Sequence, residues 1–338
     1  MLALAAANMG YRCHVYAPDA DLPAGDVAAR VTRADYADLA ALEAFGRSVD
    51  VATFEFENVD VAAVRHLAGV VPVRPGAAAL EVAQDRLAEK RFVADLGGRP
   101  AGFHAVETRE DLEAGLAALG LPAVLKTRRL GYDGKGQARI TRAGEAEAAY
   151  AAMRGAPAVL EAWLDYAHEF SVILARGIDG SVCHWPVSEN RHVGGILASS
   201  HVPAPVPVLA QIEEARALAE RVAGALDYVG VLACEFFACA DGPRFNEMAP
   251  RVHNSGHWTI EGARASQFEN HVRAICGLPL GSTELTAPAI RMQNLLGDEV
   301  HDWARLLDDP AAHLHLYGKA TVQPGRKMGH VTWLSLAL

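Results

Sequence analysis

The stretch Val229–Trp258 constrains this chain more than any other. It opens with Val229-Gly230-Val231-Leu232-Ala233-Cys234-Glu235-Phe236-Phe237, apolar and aromatic as a buried strand must be, but with one glutamate inside it. Ala240-Asp241-Gly242-Pro243 reads as a turn. The chain then packs Asn246, Glu247, Arg251, His253, Asn254 and His257 into one short run ending at Trp258. With a loop over Ala240–Gly242, Glu235 and Glu247 face each other across a hairpin. Opposed carboxylates on a buried hairpin repel unless something sits between them. A hard cation fits there, and Mg²⁺ characteristically takes one or two carboxylates together with substrate phosphates. The bland alternative is a pair of solvated glutamates on an edge hairpin. The apolar neighbours of Glu235 weigh against it.

The length of 338 residues suggests two or three domains, and 51% hydrophobic with 21% charged residues suffices for a large core. A net charge of -10 argues against a nucleic-acid scaffold, which needs a basic face. It leaves room for an anionic small substrate in a local basic pocket. Cys13, Cys183, Cys234, Cys239 and Cys276 show no CxxC spacing, so a reducing cytoplasm is the simplest setting. No apolar run reaches the ~20 residues of a membrane helix. Met1 to Ala7 lacks the basic start and cleavage pattern of a signal peptide.

Taken in order, Met1 to Met9 is expected as a helix ended by Gly10, residues 12–17 as a strand, 37–45 as a helix and 49–56 as a strand. Helices between apolar strands imply a parallel α/β layer. Glu55, Glu57 and Asn58 stand at the end of the strand of 49–56, where such folds bind ligands, although helix capping explains them equally well. Residues 75–96 read as one helix whose charges, Asp85 to Arg91, form a solvated face. Ser188 to Gly195 reads as a polar loop, 208–226 as a helix with one apolar face, and 261–275 as a helix. Antiparallel strands are expected at 158–164, 169–176 and 181–187.

A second informative stretch is Leu121 to Gln137. A short apolar strand ends in Lys126 and runs into Gly131-Tyr132-Asp133-Gly134-Lys135-Gly136-Gln137. Its glycines let backbone amides approach phosphates, and Lys126 and Lys135 add charge. The spacing is not that of a Walker loop. Further on, Tyr317-Gly318-Lys319 and Pro324-Gly325-Arg326-Lys327-Met328-Gly329-His330 form either a basic surface turn or an anion grip.

Taken together, Lys126, the 131–137 loop, the Glu235/Glu247 pair and the 249–258 run resemble the ATP-grasp ligases. More narrowly, residues 55–59, 131–137, 246–258 and 324–330 resemble, in order, the 5-(carboxyamino)imidazole ribonucleotide synthases. The resemblance implies an α/β and α+β architecture: a Rossmann-like pre-ATP-grasp domain over 1–84, an ATP-grasp domain over 85–278 with a mobile lid near 99–165, and a small C-terminal domain over 279–338. It implies a cytoplasmic homodimer in purine synthesis, using ATP, Mg²⁺ and bicarbonate to carboxylate aminoimidazole ribonucleotide through carboxyphosphate. Arg86, Lys126, Gly131, Tyr132, Asp133, Gly134, Lys135, Gly136 and Gln137 are implied at the ATP phosphates. Glu161, Ala162, Trp163, Leu164, Glu169, His192, Asn246 and Glu247 are implied around the rest of the nucleotide. Glu235 and Glu247 would hold the metal. Tyr132, Asp133, Arg251, His253 and Asn254 would meet the imidazole and bicarbonate, with Asp133 accepting the amine proton. Lys319 and Arg326 would grip the ribonucleotide phosphate. Another ATP-grasp amine ligase is the alternative within the class, and a non-catalytic nucleotide-binding protein the alternative outside it.

Two departures accompany the resemblance. The opening strand and glycine-rich turn of a Rossmann-like unit are missing before Met1, and Leu338 stops short of the usual family end. No N-cap residue precedes the first helix. The expectation is a natural product that begins roughly 10–20 residues upstream, one strand and its turn.

Overall fold

The computed structural model describes residues 1–131 and 136–335. The first unit contains α1 (Leu2–Asn8), β1 (His14–Tyr16), β2 (Arg30–Thr32), α2 (Leu39–Gly46), α3 (Val61–Ala68) and α4 (Ala77–Ala83). β1 and β2 pair in parallel, as alternating helices and short strands require. The strand expected over 49–56 is reduced to one parallel bridge, Ala52 to Val73. The chain leaves the ladder at Thr53, whose hydroxyl lies 2.8 Å from His271 Nε2 on a distant helix.

The expected single helix over 75–96 is two helices, α4 and α5 (Arg86–Asp95). Asp85 separates them because it caps α5. Its carboxylate accepts the N–H groups of Leu87 and Ala88 at 3.0 and 3.3 Å, which requires a non-helical backbone. Arg128 grips the same carboxylate at 2.7 and 3.1 Å. The solvated face expected here is also corrected: Asp85, Glu89 and Lys90 are buried. Asp85→Ala should cost about 2–4 kcal/mol, one cap plus charge-assisted hydrogen bonds. Urea unfolding would read this as a lower midpoint at unchanged slope. A loss under about 0.5 kcal/mol, the range of ordinary surface changes, would show that neither contact matters.

A separate four-stranded antiparallel sheet follows. It holds β3 (Phe103–Val106), β4 (Ala123–Thr127), β5 (Gln137–Ile140) and β6 (Ala158–Ala162) in the order β3-β6-β4-β5. α6 (Arg109–Leu119) and α7 (Ala146–Ala152) cover one face, sealing Leu112, Leu125, Ile140 and Leu160.

The rest builds one large antiparallel sheet. Its strands are β7 (His168–Arg176), β8 (Val182–His184), β9 (Ser188–Val193), β10 (Ile196–Val202), β11 (Gly230–Cys239), β12 (Gly242–Ala249), β13 (Ala289–Leu296), β14 (Ala312–Leu316) and β15 (Lys327–Ser335). The order is β12-β11-β7-β9-β10-β13-β15-β14, with β8 on β7. The helices are α8 (Val206–Leu209), α9 (Ile212–Ala225), α10 (Thr259–Gly262), α11 (Gln267–Ile275) and α12 (Trp303–Leu306). The loop expected at 188–195 is thus strand β9 with a Gly194-Gly195 turn. Its polar residues satisfy one another: Asn190 donates to Ser171 Oγ at 2.6 Å and accepts from Ser200 Oγ at 2.8 Å. The helix expected over 261–275 is split, and Ser266 caps its second half by accepting from Glu269 N–H at 3.1 Å.

The period-2 alternation of β7 and β11 divides the core. Phe170, Val172, Leu174, Leu232, Cys234 and Phe236 pack with the apolar stripe of α9. Ile173, Ala175, Val231 and Ala233 pack on the other side with Phe268 and Val272 of α11 and with α1. Glu235 continues this second face. Among the described residues all five cysteines are free thiols, and no helix is long and apolar enough to cross a membrane.

Candidate active site

The hairpin of β11 and β12 closes at Cys239 and Gly242, leaving Ala240 and Asp241 as its turn. Gly242 has φ +114°, and a Cβ there would lie 2.2 Å from the Arg99 guanidinium. The expected three-residue loop is therefore one residue too long. The missing residue is restored further up: Phe236 pairs with Phe245 and Cys234 with Met248, so a β-bulge sets Asn246 and Glu247 opposite Glu235. Phe245 and Met248 both enter the α9 core although they are three apart. The two residues between them therefore share the opposite face. The two carboxylates meet as expected, through a bulge, and Asn246 joins them.

Around this bulge the charges interlock. Arg86 Nη1 donates to Glu247 at 2.9 Å, and its Nη2 donates to Gly131 O at 2.9 Å. Lys126 and Lys90 take one oxygen each of Glu161, at 2.9 and 3.1 Å. Burial would raise Glu161, but Lys126 and Lys90 outweigh it and hold the carboxyl at about 2. Burial pulls Lys90 downward, yet with a lysine on each oxygen the charged triad prevails. Glu89 accepts Met248 N–H at 2.6 Å; burial and the charge of Glu247 push it up. Glu235 is pushed up by the same causes. Burial would raise Glu247 as well, but Arg86 outweighs it and holds it down. A buried carboxylate faced by another of the same sign is the condition a cation relieves. Among the described residues no three His, Cys, Asp or Glu side chains converge on one point. A metal here would rest on two carboxylates and on its substrate, which suits Mg²⁺.

Beyond the carboxylates, Glu169 holds His192 Nδ1 at 2.5 Å and accepts from Tyr166 OH at 2.8 Å. Burial lowers His192, but the bond to Glu169 outweighs it and the net shift is upward. His192 is therefore a paired residue and no bare surface histidine. Ala162 ends β6, and Trp163 N–H donates to Pro122 O at 3.1 Å while Arg139 lies 3.9 Å over the indole. Leu164 follows. Gln137 opens β5 opposite Lys126. A Cβ on Gly136, at φ +69°, would lie 2.6 Å from Thr127 Oγ1. Tyr132, Asp133, Gly134 and Lys135 lie outside the described residues.

On the far side, Arg251 forks onto Glu57 Oε2 at 2.8 and 2.9 Å. His253 turns Nε2 toward Glu235 at 3.7 Å, and burial, then Arg251, drive its pKa well below the ordinary value. The imidazole is therefore neutral. Asn254 donates to Asn294 Oδ1 at 2.9 Å and lies 3.0 Å from His257 Nδ1, which in turn lies 3.0 Å from Tyr317 OH. Lys319 sits 5.5 Å over the Tyr317 ring and donates to Lys327 O at 2.6 Å. Arg326 donates to Thr321 O at 2.6 Å and lies 3.6 Å from Asp21. One ionic cluster thus gathers Arg86, Lys126, Glu161, Glu235 and Glu247. A hydrogen-bonded chain runs from Asn254 through His257 to Tyr317, whose ring Lys319 faces, and Arg326 is held by Thr321 and Asp21.

Sequence reasoning missed Lys90, Glu89, Gln267 and Asn294. The helical spacing of Arg86, Glu89, Lys90 and Val93 was the available signal for the first two, since Val93 is fully buried on that face.

Three family models match the chain: a ribonucleotide synthetase preATP-grasp domain over residues 1–84, an ATP-grasp domain over 91–268, and a phosphoribosylaminoimidazole carboxylase C-terminal domain over 291–336. The N5-carboxyaminoimidazole ribonucleotide synthase of Brucella melitensis is 48% identical over 335 residues, covering 98% of this chain and 92% of that protein. The crystal structure of the Thermus thermophilus N5-carboxyaminoimidazole ribonucleotide synthetase superposes with a TM-score of 0.92 at 47% identity, over 100% of this chain and 91% of that one. An Aspergillus clavatus synthase in complex with ADP and 5-aminoimidazole ribonucleotide gives a TM-score of 0.92 at 29% identity, over 99% and 90%.

Proposed function

The chain belongs to the N5-carboxyaminoimidazole ribonucleotide synthases of the ATP-grasp superfamily, and from that premise we propose how its residues divide the reaction. It is an ATP-dependent ligase of purine biosynthesis that carboxylates 5-aminoimidazole ribonucleotide. Bicarbonate is the carbon source. It is a poor electrophile, and phosphorylation by ATP supplies a leaving group as carboxyphosphate. Phosphoryl transfer is mainly positioning and charge neutralisation, and the observation that carries this reading is the bulge with its ring of cations. Lys126 and Arg86 receive the phosphates, and Glu161 fixes the direction of Lys126. Glu235 and Glu247, with Asn246 beside them, hold Mg²⁺, which when bound neutralises phosphate charge. Glu169, His192 and the exit of β6 at Ala162, Trp163 and Leu164 surround the nucleoside.

The four-stranded sheet, within residues 99–165, serves as the lid over this site, between an N-terminal domain ending at 84 and a C-terminal domain starting at 279. The 131–137 loop covers the phosphates and excludes water from a labile intermediate. Arg251, neutral His253 and Asn254 meet bicarbonate and the imidazole, together with Tyr132, and Asp133 takes the amine proton. Those last two assignments rest on the resemblance alone. Lys319 and Arg326 grip the ribonucleotide phosphate. We place the protein in a reducing cytoplasm as a homodimer.

Arg326→Ala tests the acceptor half. A charge-assisted hydrogen bond contributes about 1.5–3 kcal/mol, so the KM for the ribonucleotide should rise roughly tenfold or more. The KM for ATP should hardly move. A change confined to the ATP parameters would put this arginine in the wrong half of the site.

A further inference from the structure

The two residues read above as acceptor contacts, His253 and Asn254, are each held by a buried side-chain amide from a different part of the fold. Gln267, at the start of α11 and fully buried, grips the His253 backbone twice. Its Oε1 accepts His253 N–H at 2.9 Å, and its Nε2 donates to His253 O at 2.6 Å. The main chain leaves Gln267 no other orientation, because the N–H must donate and the carbonyl must accept. Gln267 is itself fixed. Its own N–H donates to Thr259 Oγ1 at 3.0 Å, and that hydroxyl donates to Gly256 O at 2.6 Å. The turn is closed on its other side as well: a Cβ on Gly256 would lie 2.8 Å from Gln267 Cδ and 2.6 Å from Ile173.

Asn294 of β13 does the same for the neighbouring side chain. Its Nδ2 donates to Leu197 O at 2.8 Å, which fixes the amide orientation, and also to Asn254 Oδ1 at 2.6 Å. Its Oδ1 accepts from Asn254 Nδ2 at 2.9 Å. The second Asn254 hydrogen is directed at His257 Nδ1, 3.0 Å away. Neither Gln267 nor Asn294 needs to touch a substrate. Each removes the freedom of a group that does.

We propose that Gln267 and Asn294 are positioning residues of the acceptor half, a two-amide clamp that fixes the His253–Asn254 turn beside the amine and the activated carboxyl group. This rests on the reading that those two residues meet the acceptor. Reactions between two held partners are sensitive to small displacements, and about 1 Å can cost about a hundredfold. In this enzyme a displaced acceptor has a visible consequence. ATP is still cleaved, but the activated carboxyl group is lost to water before the amine attacks. The number of ADP molecules released per ribonucleotide carboxylated then rises above the wild-type value.

The test uses the full chain with Gln267→Met, which keeps the shape and loses both hydrogen bonds, and Asn294→Asp, which replaces a donor by an acceptor. Coupling, thermal midpoint and ADP release without ribonucleotide are measured for each. The clamp predicts ADP release without ribonucleotide close to wild type and a several-fold rise in ADP per product in at least one folded variant. One-to-one coupling in both folded variants overturns it. So does a lower midpoint with coupling unchanged, since that is a purely structural role. If Gln267→Met does not fold, the aspartate variant decides alone. His253→Ala in the same assay separates the two levels of inference. If it is uncoupled while the clamp variants are not, only the clamp fails. If it too couples normally, the underlying reading of His253 fails.

Discussion

Glu235→Gln should lower ATP turnover by about two to three orders of magnitude and leave the fold intact. The side chain keeps its shape but gives up half of the opposed charge on the bulge. A metal-neutralised charge is worth several kcal/mol in a phosphoryl-transfer transition state, and each 1.36 kcal/mol is about tenfold in rate. Stability should move the other way. The Glu235 carboxylate is buried and faced by Glu247, and its pKa is raised. A carboxyl whose folded pKa lies above its unfolded value weakens the metal-free protein as pH rises through that interval. The glutamine variant lacks this weakness, so without Mg²⁺ its melting point at neutral pH should equal or exceed that of wild type. Mg²⁺ with ATP should raise the midpoint of wild type more than that of the variant. Turnover like wild type would remove Glu235 from the metal site.

Glu161→Gln should be the most damaging change to stability. Lys90 is only 2% exposed and has Glu161 at 3.1 Å. Removing one partner of a buried ion pair costs about 3–5 kcal/mol, because the other charge stays behind. The pH dependence separates this from a packing defect. In wild type the Glu161 carboxyl lies at about 2, below its unfolded value. The stability it contributes is present above about pH 4.3, the ordinary glutamate value, and is lost as pH falls toward 2. The variant should lack that acid limb. Its Lys90, buried and deprived of Glu161, has a depressed folded pKa, so its deficit should shrink toward alkaline pH, where the amine is neutral. Urea midpoints at acid, neutral and alkaline pH read all three regions. A variant as stable as wild type at neutral pH, with the same acid limb, would show that the triad carries no energy.

These two glutamates also mark the limits of reading this chain from its residues. Glu235 was legible because an acid inside an apolar strand is costly and calls for a partner. Glu247 does stand across from it, but a bulge supplies the register that the sequence assigns to a longer loop. Lys90 was not legible. Charged residues on a helix usually face water, and only the fold brings Glu161, distant in the chain, against it. The same holds for Asn294, an amide in an apolar strand whose partner Asn254 comes from another element. Strand β9 reads as a loop in the sequence because Ser188 and Asn190 are polar. Nothing local reveals that Ser171 and Ser200 satisfy Asn190 from the neighbouring strands. The motifs of 246–258 were legible because they concentrate chemistry in sequence, whereas the residues that hold them in place are spread across the fold.

If ATP phosphorylates bicarbonate with Glu235 and Glu247 at the metal, the oxygens record it. The most direct measurement follows oxygen. With ¹⁸O-labelled bicarbonate, ATP, Mg²⁺ and aminoimidazole ribonucleotide, the bicarbonate oxygen that attacks the γ-phosphorus leaves with the phosphate. The expected result is inorganic phosphate carrying one ¹⁸O from bicarbonate for each ADP formed, and loss of this transfer in Glu235→Gln. Phosphate whose new oxygen comes only from water, at an undiminished rate of ADP release, would contradict it.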